Sequence, residues 1–384
     1  MSAIVEQATL WQRVRPVLAV FDAPLAGGLL LLAAIGLTIM YSAGFDHGTR
    51  FVDHGRNMAL GFLVMFAMAQ LPPQKLMRLA VPLYTLGVTL LIATALFGIT
   101  KKGATRWLHV GVVIQPSEIM KLAMPLMLAW WFQKREGQLQ VPDFAIAGLL
   151  LLLPVGLVAK QPDLGTAILI LSAGLYVIFF AGLSWKLIIP VLGAAAIGLV
   201  ALVASADTIC EPDRVWPLLR EYQKHRVCTL LDPTTDPLGK GFHIIQGMIA
   251  IGSGGVGGKG FMNGTQTHLE FIPERTTDFI FAAYAEEFGL VGAAVLLLAF
   301  VFVILRGLVI AAQAPTVFTR LLAGAISLSF FTYAFVNMGM VSGILPVVGI
   351  PLPFVSYGGT AMVTLGLALG MLMSISRSRG LMQR

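Results

Sequence analysis

The chain has 384 residues, of which 57% are hydrophobic and only 12% charged, with a formal net charge of +7. Soluble domains carry roughly 25% charged residues, so a soluble globular fold is excluded and a polytopic membrane protein is implied. The positive charge requires no nucleic acid, because basic flanks of membrane helices account for it.

In chain order, Arg13 and Arg15 precede an apolar run at 25–43. It reads as a first transmembrane helix because many further spans follow. Runs at about 57–71, 79–99, 117–132, 144–159, 164–181, 187–206, 279–305, 320–342 and 358–375 complete a set of ten. The predicted fold is an all-α polytopic integral membrane protein of about ten transmembrane helices, one membrane domain over 1–384. Between spans 7 and 8 lies one large polar stretch, 207–278. Pro125, Gly165 and Gly292 fall inside apolar runs and are tolerated there, since neighbouring elements re-satisfy the backbone.

Basic residues set the orientation. One group of short connections holds Arg13, Arg15, Lys75, Arg78, Lys134, Arg135, Lys186, Arg306, Arg320, Arg377, Arg379 and Arg384. The opposite group holds fewer: Arg50, Arg56, Lys101, Lys102, Arg106 and Lys160. The richer group belongs in the cytoplasm, and long loops do not count in this comparison. Both termini are then expected inside and 207–278 outside.

The polar stretch gathers both cysteines, Cys210 and Cys228, and ends on Asp278, ahead of the apolar Phe279–Tyr284. A carboxylate at that boundary suits chemistry on a lipid-tethered polar substrate, and equally a charged residue among headgroups. Asp278 is expected to open the next helix. The thiols have two readings, a bridge in an oxidising compartment or two free structural thiols. Gly252–Gly260 looks like a phosphate loop, but Ser253 stands at its first glycine position and Gly260 where Ser or Thr should hold magnesium. A flexible turn is expected, although its backbone N–H groups can cradle a phosphate. The six histidines lack metal-ligand spacing. No cofactor is predicted, and a divalent cation is not readable from the sequence.

The smaller loops carry more chemistry. Lys101–Leu108 is a basic, aromatic-tipped loop in which Arg106 can pair with phosphate and Trp107 can anchor at the interface. Gln115-Pro116-Ser117-Glu118 opens a helix, and Glu118 and Lys121 share one of its faces. Within a membrane they should pair, either as a structural ion pair or as part of a substrate cavity. Gln161-Pro162-Asp163-Leu164-Gly165 is a second polar corner. Asn337–Gly359 is so dense in Pro and Gly that helix must break at membrane depth. Such backbone is allowed only where it is buried in protein or lines a cavity, so a re-entrant wall is expected.

With its Pro351-Leu352-Pro353-Phe354 and Ser356-Tyr357-Gly358-Gly359, that stretch resembles the signature of the SEDS family, whose members shape, elongate and divide bacterial cells. Arg106-Trp107, Gln115–Glu118, Gln161–Gly165 and Pro273–Phe281 follow in the family's order, so the resemblance spans nearly the whole chain. Asp232-Pro233, Asp236–Gly239, His243–Gln246 and Leu269–Arg275 are similar to the elongation branch rather than the division branch. Thr276 stands where the family commonly has His, which counts against a proton relay there.

The resemblance implies a peptidoglycan glycosyltransferase of the bacterial inner membrane, active on its periplasmic face during cell-wall elongation and rod-shape maintenance. Its substrate would be lipid II, an undecaprenyl-pyrophosphate-linked disaccharide-pentapeptide. Its partners would be a class B penicillin-binding protein, which is a transpeptidase, and the elongation machinery. The matching catalytic residue is Asp278. The chemistry agrees, because a sugar hydroxyl is a poor nucleophile until a base such as a positioned Asp removes its proton. The donor already carries a pyrophosphate leaving group, which Arg275, Arg106, Lys121 and Lys240 are candidates to neutralise. Trp107 and Glu118 complete the expected substrate-binding set. One base fits an inverting displacement rather than a retaining carboxylate pair. A competing reading is a transporter that flips lipid II and makes no bond. A third, a scaffold that only positions the penicillin-binding protein, gives no reason for a buried Glu118 and Lys121.

Overall fold

The computed structural model describes residues 21–382 except 47, 102–103, 212–220, 237–238 and 273. Arg13, Arg15, Lys102, Pro237, Leu238, Pro273 and Arg384 lie outside the described residues, and so does the side chain of Lys240.

Each of the ten predicted apolar runs falls on one long helix. In chain order these are α1 (Ala23–Ala43), α2 (Arg50–Ala69), α3 (Pro73–Phe97), α4 (Pro116–Lys134), α5 (Val141–Lys160), α6 (Leu164–Phe180) and α7 (Trp185–Ala204). After the polar stretch come α12 (Ile280–Ala312), α13 (Val317–Val341) and α14 (Gly359–Met382). Within that stretch lie α8 (Ala206–Ile209), α9 (Glu221–Leu231), α10 (Lys240–Gly254) and α11 (Thr265–His268). Seven helices among the described residues are long and apolar enough to cross a membrane: α1, α3, α5, α7, α12, α13 and α14. The chain is a multi-pass membrane protein. Of the other three, α2 and α4 carry charge in their outer turns, and α6 has only 17 residues.

Helices α2 and α3 begin about two turns before the apolar runs that mark them. Arg50, Asp53, His54 and Arg56 in α2, and Lys75 and Arg78 in α3, dilute the local hydropathy without interrupting the helix. Arg50 and Arg56 are therefore helical residues, not members of a short loop. The bundle is assembled by α14 along α2, α13 along α12 and α6, and α3 along α4. The Lys101–Leu108 segment is not an irregular loop either. It belongs to an antiparallel meander of β1 (Ile99–Lys101), β2 (Ala104–Val110) and β3 (Val112–Ile114). Cys210 and Cys228 are disulfide-bonded, tying the end of α8 to α9.

Helix α12 is broken. Gly289 has φ 65° and ψ −162°, which no helix accommodates. The interruption falls three residues before Gly292, the glycine singled out from the sequence. In an unbroken helix the Leu290 and Val291 N–H groups would bond the Glu286 and Glu287 carbonyls. Instead Leu290 N donates to Gly255 O at 2.9 Å and Val291 N to Val256 O at 3.1 Å. The freed Glu286 and Glu287 carbonyls accept from Lys259 N and Gly260 N, each at 3.0 Å. The 255–260 segment thus replaces both lost helical bonds, meeting the requirement that buried backbone at membrane depth be paired. This closeness explains two of the glycines. A Cβ at Gly254 would collide with the Ala285 carbonyl oxygen, and one at Gly258 with that of Glu287. The glycine run is a packed backbone seam, where the sequence suggested a flexible turn.

Candidate active site

The site is built where the Pro- and Gly-rich loop after α13 meets the turn before α12. Such a loop cannot pair its own carbonyls as a helix does, so side chains complete the bonding. Asn337 Nδ2, on α13, donates to Asp278 O at 3.0 Å and to Ile350 O at 2.8 Å. Ser356 Oγ donates to Thr277 O at 2.6 Å and accepts from Leu352 N at 2.8 Å. Tyr357 N reaches Thr276 O at 2.9 Å. Three successive carbonyls, 276 to 278, are therefore held, two by the loop and the third by Asn337 near the end of α13. Asp278 lies ahead of the helix, one residue before the N-cap Phe279, instead of opening it. Its backbone is fixed by Asn337, not by helical bonding.

The Asp278 side chain is partly exposed. Gly349 passes beside it with φ 75°, and a Cβ there would stand 3.3 Å from Asp278 Oδ2. The same loop reaches the second polar corner, since a Cβ at Gly165 would lie 2.8 Å from Val348 O. At that corner Asp163 accepts from Thr166 N at 3.3 Å, capping α6, and from Gln115 Nε2 at 3.1 Å. Arg106 donates to the Pro162 carbonyl and stands 3.9 Å from Asp163. The 342–358 loop thus passes between the two polar corners, touching both.

Below the second corner an apolar cavity of ≈ 730 Å³ runs between α2, α3, α4 and α14. Trp107, Val113 and Gln115 line it towards the corner, Leu76 and Met371 line it further along, and Glu118 and Thr364 are among its few polar walls. Glu118 pairs with Lys121 at 2.7 Å, the side chains being 19% and 9% exposed, and accepts from Thr364 Oγ1 at 2.9 Å. The Lys121 ammonium also lies 5.6 Å from the centre of the Tyr333 ring. Thus Trp107 and Glu118 line this cavity, Lys121 is tied to it through Glu118, and Arg106 stands at the Pro162–Asp163 corner.

Arg275 is placed differently. Its side chain is 6% exposed and forms a short ion pair with Asp46 at 2.5 Å. It donates to Ala43 O at 3.0 Å and lies over the Phe45 ring. This guanidinium is committed to the turn between α1 and α2. Lys240 opens α10, and nothing more is described of it.

Two functional-looking carboxylates escaped the sequence reading because they sit inside an apolar run. Glu286 is fully buried and accepts from Lys259 Nζ at 2.7 Å, Gln266 N at 2.9 Å and Thr267 N at 3.2 Å. It caps α11 and anchors the returning chain. Glu287 accepts from the Ser42 hydroxyl of α1. The adjacent Glu-Glu pair before Phe288-Gly289 was the available signal, since two intramembrane carboxylates demand partners.

Fold and site together define a helical multi-pass membrane protein with a carboxylate clamped through its backbone and a large apolar cavity beside the β1–β3 meander. The sequence model of the FtsW/RodA/SpoVE family, described as cell cycle protein, matches residues 21–380. The peptidoglycan glycosyltransferase MrdB of Escherichia coli strain K12 is 48% identical over 357 residues, covering 93% of each chain. The peptidoglycan glycosyltransferase RodA of Treponema pallidum is 30% identical, covering 93% of this chain and 97% of its own. Among solved structures, one described as structural coordination of polymerization and crosslinking by a peptidoglycan synthase complex aligns with a TM-score of 0.76. It is 33% identical and the alignment covers 94% of this chain and 98% of that one. The rod shape determining protein RodA of Thermus thermophilus aligns with a TM-score of 0.67 at 27% identity, covering 94% and 97%. The chain belongs to the SEDS family, and its relatives include RodA-type members.

Proposed function

We propose that this protein is a peptidoglycan glycosyltransferase that polymerises lipid II, with Asp278 as general base. The observation that carries the reading is the clamp. A partly exposed carboxylate has its own backbone carbonyl held by Asn337 near the end of α13, and the two carbonyls before it held by Ser356 and Tyr357 of the non-helical loop that follows. Beside it Gly349 leaves the space that a side chain would fill. That is the preorganisation a base needs when it must meet one hydroxyl of a large substrate. Relatives named as peptidoglycan glycosyltransferases support the same activity.

In this mechanism Asp278 takes the proton of the acceptor hydroxyl as its oxygen bonds to the donor's anomeric carbon. The bond from that carbon to the pyrophosphate oxygen breaks, and the lipid pyrophosphate leaves with the electron pair. The anomeric centre inverts. No cofactor is invoked, since protein cations can offset the leaving charge. The ≈ 730 Å³ apolar cavity has the size and lining to take part of a polyprenyl chain.

All ten long helices cross the bacterial inner membrane in this reading, with both termini cytoplasmic and the Asp278 face periplasmic. A class B penicillin-binding protein crosslinks the strands, as the peptidoglycan synthase complex among the structural relatives suggests. Transport without bond formation is the competing reading, and the break in α12 is the feature it would use. The deciding experiment is lipid II polymerisation by the purified protein with its partner's crosslinking site blocked. Asp278→Asn should slow it by about 10²–10⁴-fold. Polymer made at the wild-type rate would remove Asp278 as base and favour transport.

A further inference from the structure

The proposed reaction needs positive charge near Asp278, and the sequence offered Arg275 first. The structure commits Arg275 to Asp46, Arg106 to the Pro162–Asp163 corner and Lys121 to Glu118. Another cation lies on the clamp itself. Arg50, the first residue of α2, donates from Nη1 to Thr276 Oγ1 at 3.3 Å and stacks at 4.7 Å over the Tyr357 ring. Thr276 and Tyr357 are joined by a backbone bond of 2.9 Å, two residues before Asp278.

Arg50 differs from the other cations in what it lacks. Among the described residues it has no carboxylate partner, only a neutral hydroxyl and an aromatic face. A guanidinium has five N–H donors in a planar fork, and one is used here. The side chain is partly exposed, so the remaining donors are reachable. The Tyr357 face beneath the guanidinium positions it without neutralising its charge, which suits the capture of phosphate oxygens. The local backbone adds the same sign of charge. Thr49, the N-cap of α2, makes no side-chain capping bond, and Asp53, the carboxylate of the first turn, is paired with Arg56 at 3.0 Å, so the positive end of the helix adds to the charge of Arg50.

We propose that Arg50 is the anchor for the phosphates of the lipid-linked donor, held beside Asp278 by Thr276 and Tyr357. This rests on the glycosyltransferase reading above for its substrate, but not for its test. Glu118 then belongs to the cavity with Lys121 as its partner, Arg106 to the Pro162–Asp163 corner, and Arg275 to the turn between α1 and α2.

The test is binding without turnover, using the full chain in nanodiscs. The probes are undecaprenyl pyrophosphate, undecaprenyl phosphate and undecaprenol, which share a tail and differ in charge. Arg50→Gln should weaken pyrophosphate binding about 10- to 100-fold, the span of a lost charge-assisted contact. Binding of undecaprenol should not change, the monophosphate should show a smaller loss, and Arg50→Lys should restore part of the pyrophosphate affinity. Arg56→Gln serves as control, because Arg56 is exposed and pairs with Asp53 at 3.0 Å. Wild-type pyrophosphate affinity in Arg50→Gln would overturn the proposal, and so would equal losses for all three probes. The same measurements in an Asp278→Asn background separate the two ideas. If Asp278→Asn polymerised normally, the base assignment would fall while the Arg50 result stood on its own.

Discussion

Asn337 holds Asp278 by its backbone rather than its carboxylate, donating from Nδ2 to the Asp278 carbonyl at 3.0 Å. The same nitrogen reaches Ile350 O at 2.8 Å, so one amide sets the distance between the candidate base and the loop carrying Gly349. Asn337→Asp keeps the shape and replaces the donor with a charge that repels both carbonyls. Each carbonyl left unpaired costs about 1–3 kcal/mol. The variant should melt at lower temperature than wild type and polymerise lipid II poorly. Unchanged melting together with unchanged polymer yield would show that the clamp does not depend on this residue.

The seam across the break in α12 predicts a sharp contrast among neighbouring glycines. Gly258→Ala drives a methyl into the Glu287 carbonyl at a residue with φ 79°, whereas Gly257→Ala meets nothing within 4 Å. Backbone strain and overpacking of this kind each cost on the order of 1–3 kcal/mol. Gly258→Ala should therefore lose most of the monodisperse protein seen by size-exclusion chromatography, while Gly257→Ala should match wild type. Equal behaviour of the two would mean that the seam tolerates opening.

The sequence makes the membrane architecture legible because apolar runs of about 20 residues report spans directly. The Pro351–Gly359 stretch was equally legible, since helix cannot continue through it and its backbone needs a wall to line. Glu118 and Lys121 could be paired from spacing alone. What stayed hidden depends on contacts between distant segments. Nothing in Gly252–Gly260 says that its carbonyls would replace those of α12, and an apolar run conceals Glu286 and Glu287 by averaging them away. Arg275 looked like an anion-binding residue because its partner Asp46 lies more than two hundred residues earlier. Arg50 looked like a loop charge because the charged outer turns of α2 lower the hydropathy that marks its start.

Asp22 gives a dependence on pH with a definite sign. It caps α1 by accepting from Leu25 N at 3.1 Å, and it pairs with Arg306 through Nε at 2.8 Å and Nη2 at 2.6 Å. Burial raises its pKa, but the bonds from Arg306, Leu25 and Ser376 outweigh this and hold it below the ordinary 3.8. A depressed carboxylate contributes its full stability above the unfolded value and loses it as pH falls through the folded one. The wild-type melting temperature should therefore drop on acidification below about pH 4. Asp22→Asn should start lower at neutral pH and show a shallower drop. A steeper acid loss in Asp22→Asn would contradict the assignment.

The Glu118–Lys121 pair has two roles to separate, and its surroundings make both testable. The pair lies 2.7 Å apart on α4 with Thr364 bonded to Glu118, and Glu118 lines the apolar cavity. Glu118→Ala leaves the buried Lys121 ammonium without its carboxylate, at a cost of roughly 3–5 kcal/mol. The protein should express poorly and melt early. Replacing both residues, Glu118→Leu with Lys121→Met, removes the uncompensated charge and should recover much of that stability, since buried pairs often exchange with apolar residues at little cost. Polymerisation then discriminates. A structural pair predicts that activity returns with the fold in the double variant. A pair that handles substrate predicts a stable protein that makes little polymer. The cavity lining favours the second outcome, because Glu118 faces ≈ 730 Å³ of open apolar space, which a carboxylate kept only for its ion pair has no need to do. A double variant with wild-type stability and wild-type polymer yield would remove both residues from the candidate site.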